Sequence, residues 1–169
     1  FRKCLNIEYT KIGLTKSGNG SEKEYFRVQL GSIDFYKWLM ELGLTPKKSL
    51  TIGALNIPEN FFFDFLRGCF DGDGTIYSFW DKRWHSSYMF YLAFNSGSLK
   101  HLEWLQEKIE KMAGVVGRIK PGKRCYQLNF AKKATRIVWA SMFYKDKLPY
   151  LQRKFIKAQN IFTIDTQHT

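Results

Sequence analysis

Acidic residues, cysteines and long apolar runs are all scarce in this chain, and each shortage removes a class of protein. The three cysteines, Cys4, Cys69 and Cys125, are odd in number and widely spaced, with no C-x-x-C pair. That excludes a disulfide framework and a cysteine zinc site, and free, buried thiols suit a reducing intracellular compartment. His85, His101 and His168 lack the mutual spacing of a zinc site, so lone surface or capping roles are expected of them. The longest apolar run, YMFYLAF, is far too short to span a bilayer, and no signal-peptide pattern opens the sequence. No membrane partner is expected.

What is present points elsewhere. Against 15 Asp+Glu stand 27 Lys+Arg, a formal charge of +12 on 169 residues. The excess is spread along the chain: residues 1–57 carry nine basic and five acidic side chains (9 − 5 = +4), and residues 58–169 carry eighteen and ten (18 − 10 = +8). Hydrophobic residues make up 44% of the chain, 15 Phe and 9 Tyr among them, enough for a packed core. A basic surface around such a core favours a polyanion, DNA or RNA, as partner.

The pattern along the chain is mixed α+β. KCLNIEY sets Leu5, Ile7 and Tyr9 on one face, the Gly/Ser/Lys-rich stretch 11–24 reads as a flexible loop, and YFRVQL alternates as a half-buried strand with Phe26, Val28 and Leu30 inward. A short helix follows, capped by Ser32, striped by Phe35, Leu39 and Leu42 and stopped by Gly43. From Pro58, suited to begin a helix, the order predicted is helix, strand, strand, helix, strand, strand, helix. The two strands after Gly74 join near His85. The second helix has Ser98 as cap, Leu102, Leu105, Ile109 and Met112 as apolar face and Gly114 as stop, and the second hairpin turns at Pro121-Gly122. The stretch from Tyr25 to Leu50 and that from Cys125 to Phe155 share a strand, a helix, a proline-containing turn and a basic pair, which reads as a divergent internal repeat.

The stretch GCFDGDGTIYSFW, Gly68 to Trp80, carries the chemistry. Read as an EF-hand loop aligned on Gly74, it has Asp71 third, Asp73 fifth and Ile76 eighth, but Cys69 stands at the first ligand position and Trp80 at the twelfth. Both essential carboxylates are missing, which excludes that geometry. Read as a helix end, Gly68 and Gly72 lie four residues apart on one face, where a second helix can approach backbone to backbone. Two such helices bring two copies of Asp73 together, and paired carboxylates can hold divalent metal for phosphodiester hydrolysis. By spacing alone the same residues also fit a helix whose glycines only ease packing and whose acids end it.

FLRGCFDGDGTI resembles the LAGLIDADG motif of homing endonucleases, with Leu66, Gly68, Asp71, Asp73 and Gly74 matching and Arg67, Cys69, Phe70 and Gly72 as variants. The resemblance implies an α+β fold: an αββαββα LAGLIDADG unit over residues 58–169, with its motif helix at 59–73 and an antiparallel DNA-binding β-saddle. It also implies a partial first half over residues 1–57. Asp73 would be the catalytic metal ligand for Mg²⁺ or another divalent ion, assisted by a carbonyl near Gly72, with Asp71 serving helix-end structure. Leu66, Gly68 and Gly72 would form the helix interface. LPYLQRKFIKAQ is similar to the segment that supplies an active-site lysine, which assigns Lys154 to the scissile phosphate and Lys48 as its counterpart in the first half.

The family reads the major groove with its saddle, and alternating polar positions mark the candidates here. Arg118, Lys120, Lys123, Gln127 and Asn129 lie on the second hairpin, Thr75, Tyr77, Asp81 and Arg83 on the first strand after the motif, and Arg27 and Gln29 in the partial half. A complete first half needs its own motif helix, two strands and a helix ahead of residue 1. The second carboxylate is therefore expected either from such a segment or from a second copy of the chain. The activity implied is site-specific cleavage of double-stranded DNA. An intron-RNA-binding maturase and a non-catalytic DNA-binding regulator are the alternatives on the same fold.

Overall fold

The computed structural model describes residues 2, 5–16, 24–84 and 87–168. Cys4, the turn at His85 and residues 17–23 of the expected loop lie outside them. Contacts divide the chain into two compact units, Phe1–Trp38 and Leu39–Thr169. Residues 39–57, grouped by sequence with the partial half, fall in the larger unit. There Leu55 is buried, and Leu44, Ile52 and Ile57 pack against the core.

In the smaller unit β1 (Ile12–Lys16) pairs antiparallel with β2 (Glu24–Val28), Leu14 opposite Phe26. Most of the segment expected as a loop that can be described is thus a strand. The strand expected to be half-buried is instead exposed, with Phe26 at 81%; alternation marks two faces but does not say which is covered. Residues 5–9 form turns, not a strand: the Ile7 N–H donates to the Arg2 carbonyl, and the Thr10 N–H to that of Ile7. Helix α1 (Ile33–Glu41) begins as expected, the Ser32 hydroxyl accepting the Phe35 N–H at 3.2 Å. Gly43 follows with φ of 91°, a left-handed position that glycine takes at little cost.

From residue 58 the larger unit follows the predicted order, α2 (Phe62–Asp73), β3 (Thr75–Trp80), β4 (Tyr88–Ser96), α3 (Leu99–Ala113), β5 (Arg118–Pro121), β6 (Tyr126–Ala131) and α4 (Lys132–Met142), and then adds a helix that order did not include, α5 (Gln152–Gln167). The strands form one antiparallel sheet, β3-β4-β6-β5. Alternation gives it two faces. Ile76, Phe90, Leu92, Phe94, Leu128 and Phe130 point into the core with α2, α3 and α4, and the other face stays open. Burying these side chains, each worth roughly 1.5–3 kcal/mol, is the main force holding the helices to the sheet. Thr135 pins α4 there, its hydroxyl donating to the Phe130 carbonyl and accepting the Leu92 N–H.

Pro58 precedes a single 3-10 turn, Glu59–Phe61, ahead of α2. Gly114 ends α3 in the left-handed region. Ser98 flanks α3 but does not cap it with its side chain: the hydroxyl donates to the Ile52 carbonyl at 2.5 Å, tying residues 48–57 to the helix start. His101 adds a second tie. Buried rather than on the surface, it donates from Nδ1 to the Gly53 carbonyl, and burial holds its pKa below the usual value.

Candidate nucleic-acid interface and acidic site

Helix α2 is amphipathic in an unusual way. Phe62, Leu66 and Phe70 recur every four residues and are at most 1% exposed. On the opposite side Gly68 and Gly72 are exposed, and a Cβ added at either would meet nothing within 4 Å. The glycine stripe is therefore open to an approaching backbone, and Phe61, just ahead of the helix, is exposed as well. Leu66, assigned to the interface with the glycines, belongs instead to the core. It completes the Phe62 and Phe70 stripe and is fully buried.

The helix ends on two acids with different surroundings. Asp71 accepts the Leu151 N–H at 2.9 Å through Oδ2, its Oδ1 is buried without a partner, and burial pushes its carboxyl above the usual range. It ties the helix end to the start of α5, as its structural assignment expects. Asp73 is exposed, and its carbonyl accepts from the Asn95 side chain at 2.6 Å. Gly74 then turns the chain into β3 so tightly that a Cβ there would lie 2.6 Å from the Phe70 Cα.

Lys154 is found in an unexpected role. Its ammonium is buried and donates to the carbonyls of Phe70 at 2.6 Å, Gly72 at 3.2 Å and Gly74 at 2.6 Å, with the Phe70 ring 5.3 Å away. An ammonium has three N–H donors. All three are engaged in capping the carbonyl end of α2, where a cation also complements the helix dipole. In this geometry Lys154 positions the acidic end and has no donor left for a phosphate. Burial, then the nearby Arg153 charge, lowers its pKa. Arg67 acts similarly from within α2, bonding Asp64 and the carbonyls of Met142 and Pro149.

Lys48 and Asp73 come together. Both line a cavity of about 350 Å³ walled by Cys69, Phe94, Asn95, Gly97 and His101. The Cys69 thiol is no ready metal ligand there, since burial, aided by the Asp73 charge, pushes it up to about 12. Among the described residues no group of three or more His, Cys, Asp and Glu could hold a metal. One exposed carboxylate beside an open glycine stripe fits a metal shared with a second carboxylate, rather than one held by this chain alone.

The open face of the sheet collects most of the expected DNA-binding residues. Thr75 pairs with Ala93, Tyr77 with Tyr91, Arg118 with Asn129 and Lys120 with Gln127, so these side chains share one face. Lys123 is exposed in the β5–β6 turn. Asn129, though on this face, is 7% exposed and internally bonded, its amide donating to the Gln127 carbonyl and accepting from the Tyr77 hydroxyl at 3.4 Å. It props the face. Asp81 and Arg83 are not on β3, which stops at Trp80. They sit in the following loop and pair with each other at 3.1 Å. Arg27 and Gln29, in the smaller unit, are exposed and bond each other at 2.7 Å. Sequence reasoning missed Asn95, which pairs with Gln127 on this face; Tyr91 opposite Tyr77 and Met89 opposite Phe79 lie further along the same face, where strand alternation carries the signal.

The chain has the LAGLIDADG fold. It is similar to the crystal structure of the N-terminal LAGLIDADG domain of DUF199/WhiA, with a TM-score of 0.50 and 15% identity over 90% of this chain and 69% of that one. It is also similar to the homing endonuclease I-TnaI, at a TM-score of 0.44 and 17% identity over 62% of this chain and 74% of that one. Compared with protein-family models and with curated proteins, the sequence matches none. No described helix is long and apolar enough to cross a membrane.

Proposed function

We propose that the chain supplies one half of a divalent-metal-dependent, site-specific endonuclease acting on double-stranded DNA. One observation carries this reading: an exposed carboxylate, Asp73, ends a helix whose glycine stripe stands open to a second helix. A second LAGLIDADG half, from another copy or from a further segment, docks on Gly68 and Gly72 and brings its own acid beside Asp73. The two acids, with the second lone pair of the Gly72 carbonyl that also accepts from Lys154, would hold Mg²⁺ or a similar ion, which would supply an activated water and charge stabilisation for the leaving oxygen. Asn95 holds the Asp73 backbone still, and Lys154 gathers the carbonyls of the helix end. Lys48, on the wall of the same cavity as Asp73, is assigned to phosphate charge. Arg118, Lys120, Lys123, Gln127, Thr75 and Tyr77 form the DNA surface, the cations neutralising phosphates and the polar groups meeting base edges.

A second reading, DNA binding without cleavage, is favoured by the engagement of all three Lys154 donors. The fold serves both readings equally, since function lives in the site. Incubation with a duplex DNA library decides between them. Double-strand breaks at a recurrent sequence with Mg²⁺, and none with EDTA, support the endonuclease. A salt-sensitive complex that never cuts under any divalent metal supports the binding protein.

A further inference from the structure

The open face of the sheet is graded from one edge to the other. Arg118 and Lys120 stand on the outer strand β5, the internally bonded Asn129 lies on β6, and the far edge is aromatic. There the Tyr91 ring on β4 stacks with Tyr77 at 5.5 Å between centroids and with Phe79 at 6.1 Å, the planes within 19° and 10° of parallel. Tyr77 and Phe79 are 37% and 46% exposed. Beyond Phe79 the row opens into a groove of about 440 Å³ between Phe79, Tyr91 and Met89, with Trp80, Lys82 and the Arg83–Asp81 ion pair at its wall, the guanidinium keeping further N–H donors beyond those given to the carboxylate. That volume falls within the roughly 300–1,000 Å³ of small-molecule sites.

Reading paired DNA rests mainly on donors and acceptors, with apolar contact limited to the thymine methyl, because a duplex presents only base edges in its grooves. An aromatic row offers none of these beyond the Tyr hydroxyls. It offers ring faces, and a base can meet a ring face only when it is out of the duplex stack. Cations beside the rings complement the phosphates that flank such a base, in keeping with the charge of +12.

We propose that the groove beside Phe79 and Tyr91 binds an unpaired nucleobase in a single-stranded stretch of nucleic acid, the base continuing the aromatic stack and Lys82 and Arg83 meeting the adjacent phosphates. The site extends the nucleic-acid reading of this sheet and is independent of hydrolysis at Asp73.

The test is fluorescence anisotropy of the whole chain with three labelled probes: oligothymidine DNA and oligouridine RNA of about 10 nucleotides, within the ~4–16 that such sites cover, and a blunt duplex with no unpaired base. The wild type binds at least one single-stranded probe, and the stronger of the two identifies the backbone preferred. Phe79→Leu, which keeps apolar bulk but removes the ring, weakens that binding about tenfold and leaves duplex affinity unchanged. Phe79→Tyr, which keeps the ring, binds as the wild type does and shows that the fold tolerates change there. Single-strand affinity that is the same in Phe79→Leu and wild type overturns the proposal. Duplex binding with no single-strand binding overturns it as well, while leaving the DNA reading intact. Loss of binding to all three probes overturns both.

Discussion

The two sides of α2 share a spacing and little else. Phe62, Leu66 and Phe70 recur every four residues and are sealed in the core, whereas Gly68 and Gly72 recur at the same interval facing open space. One stripe holds the helix to its own sheet. The other meets nothing among the described residues, so its residues can be small without loss of stability. The difference teaches that a helix can be fully anchored through one face while the other is kept for a partner. The acid at its end, Asp73, is exposed beside the second.

Breaking the buried stripe gives the largest effect. Leu66→Ala should cost about 2–5 kcal/mol, the usual range for emptying a buried leucine site, measured by urea unfolding. Next comes the cap shared by both stripes. Lys154→Met removes the donors of three carbonyls and should cost roughly 1–3 kcal/mol. The same melt measures it, and Mg²⁺-dependent cleavage should fall because the acidic end loses its fixed position.

On the open stripe stability should barely respond. Gly68→Leu should stay within about 1 kcal/mol of wild type, since leucine has the better helix propensity and its Cβ meets no described atom within 4 Å. It should nevertheless abolish cleavage, and a cleaving Gly68→Leu protein would break the comparison. The smallest effect belongs to Asp71. Burial raises its carboxyl above the usual carboxylate value. In the window just above that value the folded chain therefore holds more protons than the unfolded chain, and Asp71's contribution to stability falls as pH rises through it. Asp71→Asn should remove that segment of the pH–stability profile, seen by thermal unfolding between mildly acidic and neutral buffers.

How much of this could be read from the chain itself follows the range of each interaction. Element order from Pro58, the Ser32 cap and the Gly43 and Gly114 stops rest on local signals and were legible. So was the shared face of Thr75, Tyr77, Arg118, Lys120 and Gln127, because strand alternation sets it. The errors fall where a partner is distant in sequence. Leu66 looked like a neighbour of the glycines until the fold showed which arc of α2 the sheet covers. Lys154 looked like the cation that meets the scissile phosphate, and only folding brings it to carbonyls some eighty residues earlier. Phe26 had the alternation of a covered strand, yet it is exposed on the β1–β2 hairpin, as is Leu14 opposite it in what read as a loop.

Cleavage by two single-carboxylate variants tests the account most directly. Asp73→Asn and Asp71→Asn are compared with wild type on the same duplex target with Mg²⁺. Asp73→Asn should bind the duplex but cut it at least about a hundredfold more slowly, taking removal of a pre-organised charge-stabilising group as the guide. Asp71→Asn should cut at a rate near wild type. If Asp73→Asn cuts as fast as wild type, or if Asp71→Asn alone is inactive while folded, the claim that Asp73 is the metal-binding acid of this helix is contradicted.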